Sequence, residues 1–120
     1  MTKKAFTLIE LLVVISIIGI LVALSMFGFA NARKNGRDAK RKSDLEQIRS
    51  ALEFYKSDVG NYPNSINFGG SLSYGGNIYM QTIPNDPIST KDYTYTLTDG
   101  SYTICATLES DSSNYCKANP

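Results

Sequence analysis

The chain has no histidine and only two cysteines, Cys105 and Cys116, among its 120 residues. Imidazole acid–base chemistry is therefore absent, and two cysteines without a histidine cannot complete a zinc site. No Gly-rich phosphate loop and no acid pair stands out above solvated surface, so the sequence does not read as an enzyme. Charge of one sign is lacking as well: 12 Lys and Arg against 11 Asp and Glu leave +1, which points to no polyanionic partner. Proline is missing from the first half, its four copies standing at Pro63, Pro84, Pro87 and Pro120. Most telling is the absence of any charge from Leu11 to Ala32. As a helix rising 1.5 Å per residue, that run spans about 33 Å, the hydrocarbon thickness of a bilayer.

Ahead of the apolar run stand Lys3, Lys4 and the small residue Ala5, then Phe6-Thr7-Leu8-Ile9-Glu10. A secretory signal would be cut after its apolar core. Here the core runs on into charged, structural sequence, so a processing site is expected before it. Thr7 and Glu10 fit a capping box, with Glu10 reaching back to a free backbone N–H, and a first-turn carboxylate also suits the helix dipole. Entering lipid, however, the same carboxylate is costly unless it stays at the interface or finds a counter-charge.

The string Lys3-Lys4-Ala5-Phe6-Thr7-Leu8-Ile9-Glu10-Leu11-Leu12-Val13 resembles the prepilin-type leader of type IV pilins and type II secretion pseudopilins. The resemblance implies cleavage by a prepilin peptidase between Ala5 and Phe6, N-methylation of Phe6, and an apolar helix that first anchors the subunit and then forms the core of a filament. It further implies that Glu10 of one subunit pairs with the new amine of Phe6 on a neighbour. The local cap is compatible with that role and is expected to end when the leader is removed. Ala5 stands where most members have Gly, and Phe27 where many pilins have Pro. Only Gly19 and Gly28 are then left to weaken the segment, so a more continuous helix is expected in a filament. Removal of Lys3 and Lys4 lowers the basic count from 12 to 10 against 11 acids, leaving the mature chain near −1.

The helix is expected to continue to about Asp58. Leu45, Ile48, Leu52, Tyr55 and Val59 recur at alternating spacings of three and four, with Ala51 beside Leu52, one apolar stripe on a helical period. Gly36 alone weakens it, by about 1 kcal/mol. Gly60 supplies a stop and Pro63 forbids continuation. Between these segments Arg33, Lys34, Arg37, Lys40, Arg41 and Lys42 face only Asp38 and Asp44. This run reads as a solvated stretch at headgroup level; a nucleic-acid stripe is the sharper alternative, but no aromatics interleave for base stacking. Basic residues after the apolar run outnumber those before it, so loop charge alone would leave the C-terminal part in the cytoplasm, while leader and cysteines place it outside.

Beyond the helix, Tyr62-Pro63 is similar to the pair that opens the sheet-directed loop in the family, and Ile83-Pro84-Asn85-Asp86-Pro87 resembles the Leu-Pro-x-Asp-Pro stretch of major pseudopilins. Residues 64–77, rich in Gly, Ser and Asn, read as a surface connection pinned by Phe68, Leu72 and Tyr74. Asp99-Gly100 is a hairpin signal that sets Leu97 opposite Tyr102, Tyr95 opposite Ile104 and Tyr93 opposite Ala106, on the face toward the helix stripe. Cys105 then points outward, opposite Thr94. A turn over residues 109–113 returns 114–118 as a third strand, with Cys116 beside Cys105, so a disulfide is geometrically reasonable; two buried thiols are the alternative. A disulfide would suit an oxidising compartment. The family resemblance raises calcium at Asp86, Asp92, Asp99 and Asp111, but these do not match its ligands residue by residue, and no metal or cofactor is assigned.

The expected fold is α+β and pilin-like: a long N-terminal helix, apolar then amphipathic, packed on a small antiparallel sheet. Its divisions are a leader (1–5), a transmembrane or filament-core helix (6–32), an amphipathic continuation (33–60) and a loop-plus-sheet domain (61–120). The function implied is a filament subunit of the type IV pilus kind, for adhesion, motility, DNA uptake or secretion. Its partners would be copies of itself, the prepilin peptidase, an inner-membrane assembly platform and, before assembly, the bilayer; nucleic acid is left open. The N-terminus would be cytoplasmic and the C-terminal domain extracytoplasmic. A major pseudopilin of a type II secretion system is the alternative within the family. A signal-anchored binding module acting as a monomer is the alternative outside it, disfavoured by Glu10 and the Ala5-Phe6 junction, which a mere anchor does not need.

Overall fold

A computed structural model describes residues 1–120. Its one helix, α1, runs without a break over Leu8–Val59. Thr7 sits just before it as the N-cap, which is why the helix opens at Leu8. The stop is the expected one: Gly60 takes a φ of 92° and its N–H donates to the Lys56 carbonyl at 2.7 Å, the left-handed cap that glycine adopts without Cβ strain. The chain divides into two compact units, Met1–Arg33 and Lys34–Pro120.

The first unit is the N-terminal segment with the apolar part of α1. The second holds the rest of α1 and five strands in two antiparallel sheets. β1 (Leu72–Tyr74) and β2 (Asn77–Met80) form a hairpin; β3 (Thr94–Thr98), β4 (Ser101–Thr107) and β5 (Asn114–Ala118) form a three-stranded sheet in that order. The Asp99-Gly100 turn has positive φ at both residues, 52° and 78°, which matches the right-handed twist of the flanking strands. It sets the expected register, with Leu97 opposite Tyr102 and Tyr95 opposite Ile104. β5 returns so that Cys116 lies opposite Cys105, and the two are disulfide-bonded.

Residues 72–80 depart from the expected surface connection. Gly75-Gly76, with φ of 59° and 88°, makes a second two-residue hairpin turn and pairs Tyr74 with Asn77. Polar, glycine-rich flanks hid it, because the strands have little alternation to read. The core joins Leu45, Ile48, Ala51, Leu52 and Tyr55 of α1 to Tyr102, Ile104 and Ala106 of β4, with Leu72 of β1 and Tyr62, Ile83 and Tyr93 from the connections. The threonines of β3 face outward, as the alternation requires.

Candidate functional site

In the first unit the chemistry is concentrated at the head of α1. The Glu10 carboxylate accepts from the Thr7 N–H and hydroxyl, both at 2.9 Å, while the Glu10 N–H donates to Thr7 Oγ1 at 3.3 Å. This is the reciprocal cap expected from the sequence. One point is corrected: both partners lie after the Ala5-Phe6 junction, so the cap does not depend on the leader. Ala5 and Phe6 precede the helix, and Phe6 is exposed.

Behind Glu10, the large apolar side chains from Leu8 to Phe29 are each at least 48% exposed. The two serines in this stretch do not add unmet polar groups, since Ser16 and Ser25 donate to the Leu12 and Leu21 carbonyls at 2.8 Å. A helix this apolar on all sides is long enough to cross a membrane and needs lipid or other chains around it.

The second unit shows what the sequence concealed. Arg41 is fully buried and lies at the centre of three carboxylates. Its Nε and Nη2 donate to the two oxygens of Asp86 at 2.7 and 2.8 Å, and its Nη1 lies 2.7 Å from both Asp38 Oδ1 and Glu109 Oε1. Glu109 is also forked by Arg37 at 2.8 and 2.6 Å. Asp38 accepts from the backbone N–H of Glu109 and Ser110, at 2.8 and 2.9 Å, and Asp86 from that of Ile88 at 2.9 Å. Further along, the Asp44 carboxylate binds Lys40 at 3.0 Å and the Tyr93 hydroxyl at 2.8 Å.

The reading of residues 33–44 as solvated helix is therefore overturned at Asp38, Arg41 and Asp44, while Lys40 and Lys42 are exposed as expected. Asp38, Arg41 and Asp44 continue the buried stripe of Leu45, Ile48 and Leu52 with charge in place of hydrocarbon. A search for apolar periodicity cannot see such an extension. The available signals were the Asp38–Arg41 spacing of three and an Asp86 held between Pro84 and Pro87. No group of three or more His, Cys, Asp or Glu is placed to hold a metal ion. Asp86 is committed to Arg41, Asp99 to the hairpin turn, and Asp111 accepts from the Ser113 N–H at 3.0 Å.

Paired this way, the carboxylates stay ionised to low pH. The Arg37 guanidinium, with Arg41 behind it, holds Glu109 at about 2. Burial pushes Asp38 up, but the N–H groups of Glu109 and Ser110 and the Arg41 side chain outweigh it and leave it well below the usual carboxylate range; Asp86 is likewise lowered, Arg41 outweighing burial. Groups with depressed folded-state pKa stabilise the fold above their unfolded values, near 4, and that stability is lost as pH falls. The melting temperature of the chain in detergent should thus fall steadily between about pH 4.5 and 2, followed by circular dichroism. A flat profile there would contradict the network.

The long helix, apolar and headed by one capped carboxylate, then amphipathic against a small disulfide-bonded sheet, is a pilin-like fold. Comparison with known proteins agrees. The family described as "Prokaryotic N-terminal methylation motif" matches residues 1–26, and "Type II secretion system (T2SS), protein G" matches residues 29–114. The chain belongs to the type II secretion system protein G family. It is similar to "Type II secretion system core protein G" of Pectobacterium carotovorum subsp. carotovorum, at 30% identity over 76% of this chain and 65% of the relative. The protein of that name from Aeromonas hydrophila is 30% identical over 71% of this chain and 67% of its own. "Type IV major pilin protein PilA" of Myxococcus xanthus is 32% identical over 64% of this chain and 35% of its own. This chain spans 65% and 63% of the length of the first two core protein G relatives, those of Pectobacterium and Dickeya chrysanthemi. No solved structure gives a significant match. The family is one of structural subunits, in keeping with a sequence that offers no catalytic constellation.

Proposed function

We propose that the chain is a major-type pseudopilin of a type II secretion system. In this reading it is cut between Ala5 and Phe6, methylated at Phe6 and assembled through its apolar helix. The exposed apolar face of α1, headed by Glu10 alone, carries the reading. Moving that face from lipid into a bundle of identical helices changes apolar exposure little, so packing and charge must decide the register. A Glu10 carboxylate taken into such a bundle needs a counter-charge. Cleavage creates one, the amine of Phe6, which keeps its positive charge when methylated. The cap leaves the second Glu10 oxygen, Oε1, outside its hydrogen bonds, so the carboxylate can hold Thr7 and meet a neighbour's amine together.

The preference for a pseudopilin over a pilus subunit rests on the match over residues 29–114, which lies outside the leader that both kinds share. The Myxococcus PilA relative supports the pilus as the second reading. In either, the disulfide favours an extracytoplasmic place for the sheet domain.

The chain recovered from its native membrane should begin at N-methylated Phe6 by sequence and mass. Glu10→Gln should be cut in normal amount, yet sedimentable filament should fall by about tenfold or more, a loss of about 1.4 kcal/mol or more per contact. Wild-type assembly of that variant would leave Glu10 with its capping role only. Deletion of the gene should stop export of folded proteins and spare surface fibres; the reverse pattern would identify a pilus subunit.

A further inference from the structure

The second unit leaves three large apolar or aromatic side chains substantially exposed: Phe54 at 68%, Tyr74 at 57% and Ile78 at 62%. Phe54 and Ile78 belong to one surface; Tyr74, which pairs with Asn77 while its neighbour Ser73 pairs with Ile78, points to the other side of the hairpin. Phe54 and Ile78 line a hollow with Asp58, Asn77 and Tyr79, and Tyr74 and Tyr79 both meet the edge of Tyr55, at 5.9 and 5.3 Å between ring centres. At its rim the Asp58 carboxylate stands beside the Tyr79 hydroxyl and takes part in no ion pair. Exposed Phe54 and Ile78 beside an unpaired carboxylate offer apolar and charged contact at one place.

A second surface of the same unit has the complementary character. The Lys42 ammonium lies 5.4 Å above the Tyr115 ring, with that of Lys117 at 5.5 Å. Lys117 is paired with Glu46, but Lys42 has no carboxylate partner. Lys42 and Asp58 are sixteen positions apart on α1, a rotation of about 160° at 100° per residue, so they point to opposite sides of the helix. Opposite and unlike surfaces on one chain make a heterologous contact, which repeats along an open line instead of closing into a dimer.

We infer that the Phe54 and Ile78 surface of one copy docks on the Lys42 and Tyr115 surface of the next in the filament, with Asp58 pairing with Lys42. The inference rests on the proposed filament role. It adds a contact between globular units to the one made by the helices, and it fixes the direction in which copies follow one another.

The test uses the full chain in its own assembling cells, reading sedimentable filament per processed subunit. Asp58→Lys and Lys42→Glu should each cut filament by about tenfold or more through like-charge contact, and the two together should return most of it. Phe54→Ser with Ile78→Ser should also cut it, while Cys105 and Cys116 stay bonded, which reports a folded domain. Wild-type assembly of either single charge variant overturns the docking, and is the outcome if the patch meets lipid or another protein. So does a charge swap that fails to recover filament with folded, processed chain present. Glu10→Gln run in parallel separates the two readings: if it assembles normally the filament mechanism fails, and if it blocks assembly while Asp58→Lys does not, only the docking fails.

Discussion

Replacing Arg41 by methionine is expected to cost about 3–5 kcal/mol, out of the 5–15 kcal/mol that hold a typical domain together. The reason is what the change leaves behind. Asp38, Asp86 and Glu109 all converge on one fully buried guanidinium, and methionine fills its volume without its charge. The carboxylates must then take up protons or pull the turns that carry them into water. Asp86 anchors the proline-flanked turn, and Asp38 fastens the backbone after β4, so both connections should loosen together. For a domain of this size the melting temperature should fall by well over 10 °C, read by circular dichroism of the mature chain in detergent. Arg41→Lys should fall between the two, because one ammonium cannot fork to both Asp86 oxygens and still reach Asp38 and Glu109. Adding Asp86→Asn to Arg41→Met should cost less than the sum of the singles, since one uncompensated charge is then gone. A loss within about 1 kcal/mol for Arg41→Met would mean the network merely breaks even with hydrocarbon.

Converting Cys105 and Cys116 to serine together should cost about 3 kcal/mol, the value expected for so short a closed loop. β5 is the last strand of its sheet, paired only with β4. Without the bond it keeps the ladder, the Lys117–Glu46 pair at 2.8 Å and the half-buried Tyr115. Amide exchange should therefore accelerate most over residues 114–118, while α1 beyond Lys34 keeps its protection. Uniform acceleration would show the bond holding the whole domain. The wild-type chain should gain two hydrogens in mass on reduction.

These two effects share a cause. A domain this small has a modest core, and by size alone it should be marginal. One covalent bond fastens the far strand to its neighbour, and one buried cation fastens two connections to the helix. Both devices are built from residues of the second unit. Stability of the sheet domain and assembly through the helix can thus be varied separately, which is what the Glu10, Asp58 and Lys42 variants require.

The sequence by itself determined the elements whose causes are local. Thr7 and Glu10 dictated the cap, an uncharged run dictated the exposed apolar stretch, Gly60 ended the helix, Asp99-Gly100 set the β3–β4 register, and the polar turn after β4 returned β5 with Cys116 opposite Cys105. Each follows from neighbours within a few residues or from strict alternation, where backbone preference and side-chain period agree. Only the tertiary structure decided that Arg41 is interior. Its partners Asp86 and Glu109 lie 45 and 68 positions away, and no local pattern separates a lysine or arginine in water from one enclosed by distant carboxylates. The same holds for the surface of Phe54 and Ile78, left uncovered because the hairpin and the helix end are brought together there with nothing of this chain above them. Long-range charge pairing and the shape of what stays exposed depend on where the whole chain goes, and a sequence shows these only after it has folded.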